Sequence, residues 1–220
     1  PKYKRKIKLF SLFHLHKQKK ITTFAVRMTY SIFDDMAQCT EQELARLLGL
    51  ASDQRREQAL AYKHMHGQFC CLKSYELLLQ LLSSTPYTIH HTPSFLYNEH
   101  GQPRIEGGPC FSISHCKNAI AVAISDTPIG IDIEHLRTAK PELVARTMNE
   151  VEQERIWQSE SPDWTFTQLW TQKEAVLKML GTGITSLDGI KNTLVALDNI
   201  ELLTKVHIDK QYAYSLAFRL

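Results

Sequence analysis

The chain has no apolar run long enough to cross a bilayer. Its longest runs, around Leu77 to Leu82 and Ala119 to Ile124, fall far short of the ~20 residues that a spanning helix needs. Cysteine is scarce: Cys39, Cys70, Cys71, Cys110 and Cys116 are odd in number and lack the paired spacings of a disulfide framework or a zinc site, so they read as buried reduced thiols. No secretory leader is evident either. Ile7 to Leu15 follows a basic start, but Lys8, His14 and His16 interrupt it, Lys17 to Lys20 follow it, and there is no small-residue cleavage site. These absences predict a cytoplasmic protein with no membrane partner. Tandem repeats, a Gly-x-Ser-x-Gly elbow and any zinc-finger or zincin spacing among His64, His66, His90, His91, His100, Cys110 and Cys116 are also missing.

What is present is enough for a folded core: 220 residues, 43% of them hydrophobic. The net charge of +3 hides an asymmetry, because residues 1 to 20 carry eight Lys or Arg and no acid, leaving eighteen basic against twenty-three acidic residues afterwards. That start reads as a flexible basic extension, residues 1–20. It has no RNA-binding signature and no interleaved aromatic platform, so no specific nucleic-acid partner is expected.

The order of elements predicts an α+β protein of two halves, 21–127 and 128–220, meeting near residues 125 to 130. Ile21 to Val26 is the first expected strand. Thr40-Glu41-Gln42-Glu43 is a capping box that opens a short helix stopped by Gly49, and a second helix starts at Ser52 or Asp53. A helical pattern then continues to Leu82, with a possible break near Gly67, and Pro86 ends it. Strands are expected at Tyr87 to His91, Phe95 to Tyr97, Phe111 to Ser114, Ala119 to Ile124 and Gly130 to Glu134. Pro141 to Trp157 and Thr165 to Leu180 are helical patterns, with Gly181-Thr182-Gly183 as a stop. Leu194 to Leu197, Leu202 to Ile208 and Tyr212 to Phe218 close the chain as strands.

Three acids carry the chemistry. In the strand Gly130-Ile131-Asp132-Ile133-Glu134, alternation sends Asp132 and Glu134 to one face and the isoleucines to the core. In the helix Trp170-Thr171-Gln172-Lys173-Glu174-Ala175-Val176-Leu177-Lys178, Glu174 and Lys178 lie one turn apart. Hard oxygen ligands beside an ammonium suit magnesium and a phosphate ester, since magnesium takes few carboxylates and leaves sites for phosphate oxygens. On an isolated helix Lys173 and Lys178 read as solvated charges, with Glu174 and Lys178 a surface pair worth only ~0.3–0.5 kcal/mol; next to a pyrophosphate a lysine would instead neutralise charge that builds on the leaving oxygens. Ser114 and His115 end an alternating strand; adjacent strand residues point to opposite faces, which disfavours a serine nucleophile with His115 as its base. His115 is left as a phosphate contact or a structural histidine.

Together, Phe111-Ser112-Ile113-Ser114-His115, Gly130-Ile131-Asp132-Ile133-Glu134, and Trp170 to Lys178 followed by Gly181-Thr182-Gly183 resemble the 4′-phosphopantetheinyl transferases, in order and in spacing. The resemblance covers roughly residues 20 to 220 and is strong from 111 to 183. It implies transfer of phosphopantetheine from coenzyme A to a serine of an apo acyl or peptidyl carrier protein, releasing adenosine 3′,5′-bisphosphate, with magnesium required. The chain's length resembles the long, surfactin-synthetase-activating type, which implies a monomer of two similar halves in pseudo-twofold arrangement with a coenzyme A cleft between them. The resemblance assigns the metal to Asp132, Glu134 and Glu174, and phosphate contacts to Lys178 and His115, with Ser114 beside them; Glu174 is the candidate proton acceptor. Arg55, Arg56 and Lys63 are the candidates for the 3′-phosphate. One departure concerns Gly101-Gln102-Pro103, which stands where many members carry Gly-Lys-Pro. A non-catalytic coenzyme A or carrier-protein binding module is the alternative.

Overall fold

The structure, a computed structural model, describes residues 17–23, 26–85, 93–183, 187–195 and 197–219. The expected strand at Tyr87 to His91 and residues 1–16 of the expected basic extension lie outside them. Residues 17–20 belong to the first strand, β1 (Lys17–Thr23), which pairs antiparallel with β2 (Val26–Phe33). β2 is an addition to the predicted strands. Its alternation of Met28, Tyr30 and Ile32 with Arg27, Thr29 and Ser31 is a period-two signal.

Two antiparallel sheets form the centre of an α+β fold. The first has the order β1-β2-β6-β5, with β5 at Cys110–His115 and β6 at Ile120–Ser125; the second has the order β7-β9-β8, with β7 at Ile129–His135, β8 at Ile200–His207 and β9 at Tyr212–Arg219. A two-stranded ribbon, β3 (Leu96–Tyr97) with β4 (Pro103–Arg104), carries the turn at 98–102.

β6 is buried on both faces, and its alternation divides two cores. Ile120, Val122 and Ile124 face α3 (Met65–Ser83) with Phe69, Leu72 and Leu78, while Ala121 and Ala123 face Ile129, Ile131, Ile133 and Leu216 of the second sheet. Small side chains on the inter-sheet side let the two sheets approach, and branched ones fill the wider gap to the helix. α1 (Glu41–Leu50) and α2 (Asp53–Leu60) pack against α3, whereas α6 (Pro162–Leu180) covers the outer face of β7 and β9.

Several boundaries differ from the predicted ones. α1 runs through Gly49 to Leu50, and only half of its capping box forms: Thr40 accepts from Glu43 N, while the Glu43 carboxylate pairs with Arg46 and Lys73. The long helical pattern breaks at 61–64, ahead of Gly67, which packs under the Tyr62 ring. The 141–157 pattern divides into α4 (Pro141–Thr147) and α5 (Glu150–Trp157), because Asn149 and Glu152 make a complete capping box that starts a new helix. Leu194 and Leu197 lie in turns against α6 instead of in a strand, and the strand begins at Ile200. Ahead of both, α7 spans Leu187–Asn192. No helix among the described residues is long and apolar enough to cross a membrane.

Lys173 is not a solvated helix charge. It is fully buried, with Nζ donating to the carbonyls of Ile190 and Lys191 and pairing with Glu152 Oε2 at 2.8 Å, so it ties α6 to α5 and α7. Removing one partner of such a pair leaves an uncompensated charge in the core. Lys173→Met should therefore cost about 3–5 kcal/mol in urea unfolding, against under ~1 kcal/mol for an exposed lysine.

The decisive close approach is at Gly130. A Cβ there would lie 1.9 Å from the Ala175 carbonyl oxygen and 2.6 Å from Met179 N, both rigid atoms of the α6 backbone. Gly130→Ala should destabilise by at least about 3 kcal/mol, lowering the melting temperature by roughly 6–12 °C. An unchanged melting temperature would show that α6 does not sit this close to β7.

Candidate active site

Because α6 lies directly on β7, the face of β7 bearing Gly130, Asp132 and Glu134 meets Glu174 and Lys178. Lys178 Nζ donates to Asp132 Oδ1 at 2.7 Å, and Ser114 Oγ donates to the same oxygen at 2.7 Å. Asp132 is only 6% exposed. Ser114 reaches it from β5, which runs along the unpaired edge of β7; two residues earlier, Ser112 Oγ accepts the Ile131 backbone N–H at 3.0 Å. The two serines of the Phe111 to His115 block therefore join the sheets by side-chain bonds where, among the described residues, no ladder connects them.

Glu134 is held from its own end of the strand. Its Oε1 accepts from His135 N and contacts His135 Nδ1, and its Oε2 accepts from Arg137 Nη1 at 3.3 Å. The Arg137 guanidinium lies 4.9 Å over the Trp170 ring, and its backbone N–H donates to Thr167 Oγ1. Arg137 was not among the predicted site residues. It follows the strand in a segment without periodic pattern, and only the return of the chain over α6 brings it to Glu134.

Glu174 sits partly buried among these groups. Burial pushes its carboxyl above the ordinary range, and the nearby Asp132 pushes further, with Glu134 adding; Lys178 and Arg137 oppose. Like charges that crowd each other in a desolvated place raise the cost of ionising the last one. His115, at the end of β5, is shifted the other way. Burial lowers its pKa first, followed by the positive charges of Lys178, His66 and Arg55, with Asp132 opposing. His115 is thus neutral at pH 7 in a cationic neighbourhood.

The three candidates for the 3′-phosphate differ. Arg55 is in electrostatic reach of His115, but its fork donates to Cys71 O, Ser74 Oγ and Gln58 Oε1 and stacks over Phe95. Arg56 is committed to the α1–α2 junction, donating to Leu48 O and Ala51 O and pairing with Asp53. Lys63 is exposed in the turn between α2 and α3. Asp132, Glu134 and Glu174 offer hard oxygen donors, yet among the described residues no group of three His, Cys, Asp or Glu is arranged to hold a metal ion. Asp132 Oδ1 is occupied by Lys178 and Ser114, so the donor chemistry suits a divalent cation while the present bonds do not form a ready-made cage.

Comparison with known proteins picks out the same segment. The profile of the 4′-phosphopantetheinyl transferase superfamily matches residues 128–219, the span that contains Asp132, Glu134, Glu174 and Lys178. A 4′-phosphopantetheinyl transferase of Bacillus subtilis is 27% identical over 161 residues, 70% of this chain and 70% of that protein. The chain is thus similar to 4′-phosphopantetheinyl transferases, most clearly over residues 128–219. Two further transferases of that name align over shorter stretches. One from Aneurinibacillus migulanus is 32% identical over 56% of this chain and 50% of its own length, and one from a Nostoc species is 35% identical over 50% and 51%. The superfamily match does not extend to Ser114, His115, Arg55, Arg56 or Lys63; a hydrogen bond brings Ser114 to Asp132, and His115 lies in electrostatic reach of Lys178 and Arg55, while the described contacts of Arg56 lie at the α1–α2 junction.

The raised Glu174 pKa has a consequence for stability. A carboxyl whose folded pKa exceeds its unfolded value favours the fold fully only below the unfolded pKa, and that contribution is lost as pH rises through the folded value. Glu174→Gln removes the ionised form. Without added divalent cations, it should raise the melting temperature at pH 8. The gain should vanish near pH 4, and a destabilised variant at pH 8 would contradict the crowding of the three acids.

Proposed function

We propose that the protein transfers the 4′-phosphopantetheine group of coenzyme A to a serine of an apo acyl or peptidyl carrier protein, releasing adenosine 3′,5′-bisphosphate. The observation that carries this reading is the part-buried Lys178–Asp132 pair beside Glu174, all three within the segment that the superfamily profile matches, with Ser114 bonded to Asp132 from the strand before it.

The carrier serine Oγ attacks the β-phosphorus, the bond from that phosphorus to the oxygen bridging to the α-phosphate breaks, and the bridging oxygen leaves on the nucleotide. Lys178 shifts from Asp132 toward the nonbridging oxygens and neutralises charge that grows on the pyrophosphate in the transition state. His115, neutral when the site is empty, donates to a phosphate oxygen, and its uptake of a proton is favoured once that anion outweighs the surrounding cations. Glu174, directly or through water, accepts the serine proton, from a position between the metal site and the incoming carrier. Asp132, Glu134 and Glu174 would hold magnesium, which when bound supplies a counter-charge to the pyrophosphate. Ser114 positions Asp132 for either partner. Lys63 and the remaining donor of Arg55 are the candidates for the 3′-phosphate, and Arg56 is the weakest because its donors serve the α1–α2 junction.

This reading includes a cytoplasmic monomer of two pseudo-twofold halves with coenzyme A between them. Purified protein, coenzyme A, magnesium and an unmodified carrier should give a carrier whose mass rises by one phosphopantetheine. Lys178→Met should lower kcat about 10²-fold, and Glu174→Gln should lower it comparably despite the gain in stability. Binding of coenzyme A with no change in carrier mass would favour a non-catalytic binding module instead.

A further inference from the structure

The end of α6 that bears Lys178 is held by the other half of the molecule. Gln102 Nε2, in the turn of the β3–β4 ribbon, donates to the Lys178 carbonyl oxygen at 2.5 Å, and Asn98 Nδ2 donates to the Gly181 carbonyl oxygen at 3.0 Å. The Gly181 carbonyl is an acceptor that a helix terminus otherwise leaves to water, and the Lys178 carbonyl takes Gln102 as a second donor beside Gly181 N. The helix's own closure is local: Gly181, at φ 72°, donates to Leu177 O and Lys178 O, and Thr182 N donates to Leu177 O. The fit around the latch is close, since a Cβ at Gly181 would stand 2.5 Å from Gln102 Oε1.

The latch is itself pre-formed. Asn98 Oδ1 accepts from the backbone N–H groups of His100 and Gln102, and Asn98 N donates to Gln102 O, closing the turn that presents both amides. One side of Asn98 therefore shapes the turn while the other grips the helix. Gln102 is a neutral donor facing the negative end of the α6 dipole, where an acceptor would be repelled.

We propose that Asn98 and Gln102 are positioning residues that hold the last turn of α6 so that Lys178 projects toward Asp132 and the phosphate site; this rests on the transferase reading above. The side chain at 102 thereby acts on the lysine through the helix backbone and not on the nucleotide. A side chain on a frayed final turn samples positions away from the transition-state charge, and a misplacement of about 1 Å can cost up to ~10²-fold in rate.

Two variants isolate the latch. Gln102→Met keeps the length and removes the donor. Asn98→Asp keeps the oxygen that shapes the turn and replaces the helix-gripping amide with an acceptor. Each should lower kcat about tenfold with KM for coenzyme A and carrier within about twofold, and Gln102→Glu, which turns an acceptor toward the carbonyl, should be worse than Gln102→Met. In a Lys178→Met background the Gln102→Met effect on kcat should disappear, which a general loss of structure would not produce. Amide exchange at Gly181 and Thr182 should quicken in both single variants, with exchange in β6 unchanged. Unaltered kcat and exchange in Gln102→Met, or an undiminished kcat loss in the Lys178→Met background, would overturn the latch. A wild-type protein that leaves the carrier unmodified would instead overturn the transferase reading, and the exchange measurement would still decide the latch.

Discussion

The contact between α6 and β7 at Gly130 is the constraint from which the site follows. With no side chain at that position, the Ala175 carbonyl and Met179 amide come within distances that any Cβ would forbid. Helix and strand then lie close enough for residues one turn apart on α6 to address residues two apart on β7. The 3.6-residue period of one element and the two-residue period of the other coincide over this short span. A wider gap would leave Lys178 short of Asp132 and would let water between the three carboxylates.

That closeness carries an electrostatic cost, and the fold offsets it unevenly. Asp132 has both an ammonium and a hydroxyl, Glu134 has His135 and a guanidinium stacked on Trp170, and Glu174 is opposed by the others. The raised carboxyl at Glu174 marks the place where another positive charge would be most welcome. Lys173, its immediate neighbour in sequence, shows the opposite solution: it turns inward, is enclosed by Glu152 and two backbone carbonyls, and has a structural part only.

The first sheet contributes by reaching across. Ser112 and Ser114 attach β5 to the free edge of β7, and the Asn98 and Gln102 amides attach the β3–β4 turn to the end of α6. The side chains that position Asp132 and Lys178 therefore come from the part of the chain preceding residue 128. A shift between the two sheets would move both charged groups together.

Much of this was legible from residue patterns. The alternation in Gly130 to Glu134, the i, i+4 spacing of Glu174 and Lys178 and the glycine stop at Gly181 are local rules, and they predicted the acidic strand, the charged helix and its end. The complete capping box at Asn149, which divides α4 from α5, was also local and readable. Other features had no such signal. Lys173 and Lys178 are chemically alike, and only the packing of α5 and α7 decides that one is buried and the other faces Asp132. Arg55 and Arg56 are adjacent arginines on a short, mostly polar helix, and their different partners depend on where α1 and α3 lie. Gln102 carries no information about its target without the position of the helix end. Sequence alone determined which short elements form and which chemistry they bear, because backbone periodicity and side-chain type act over a few residues; the tertiary structure decided which charges meet, because burial and pairing depend on segments far apart in the chain.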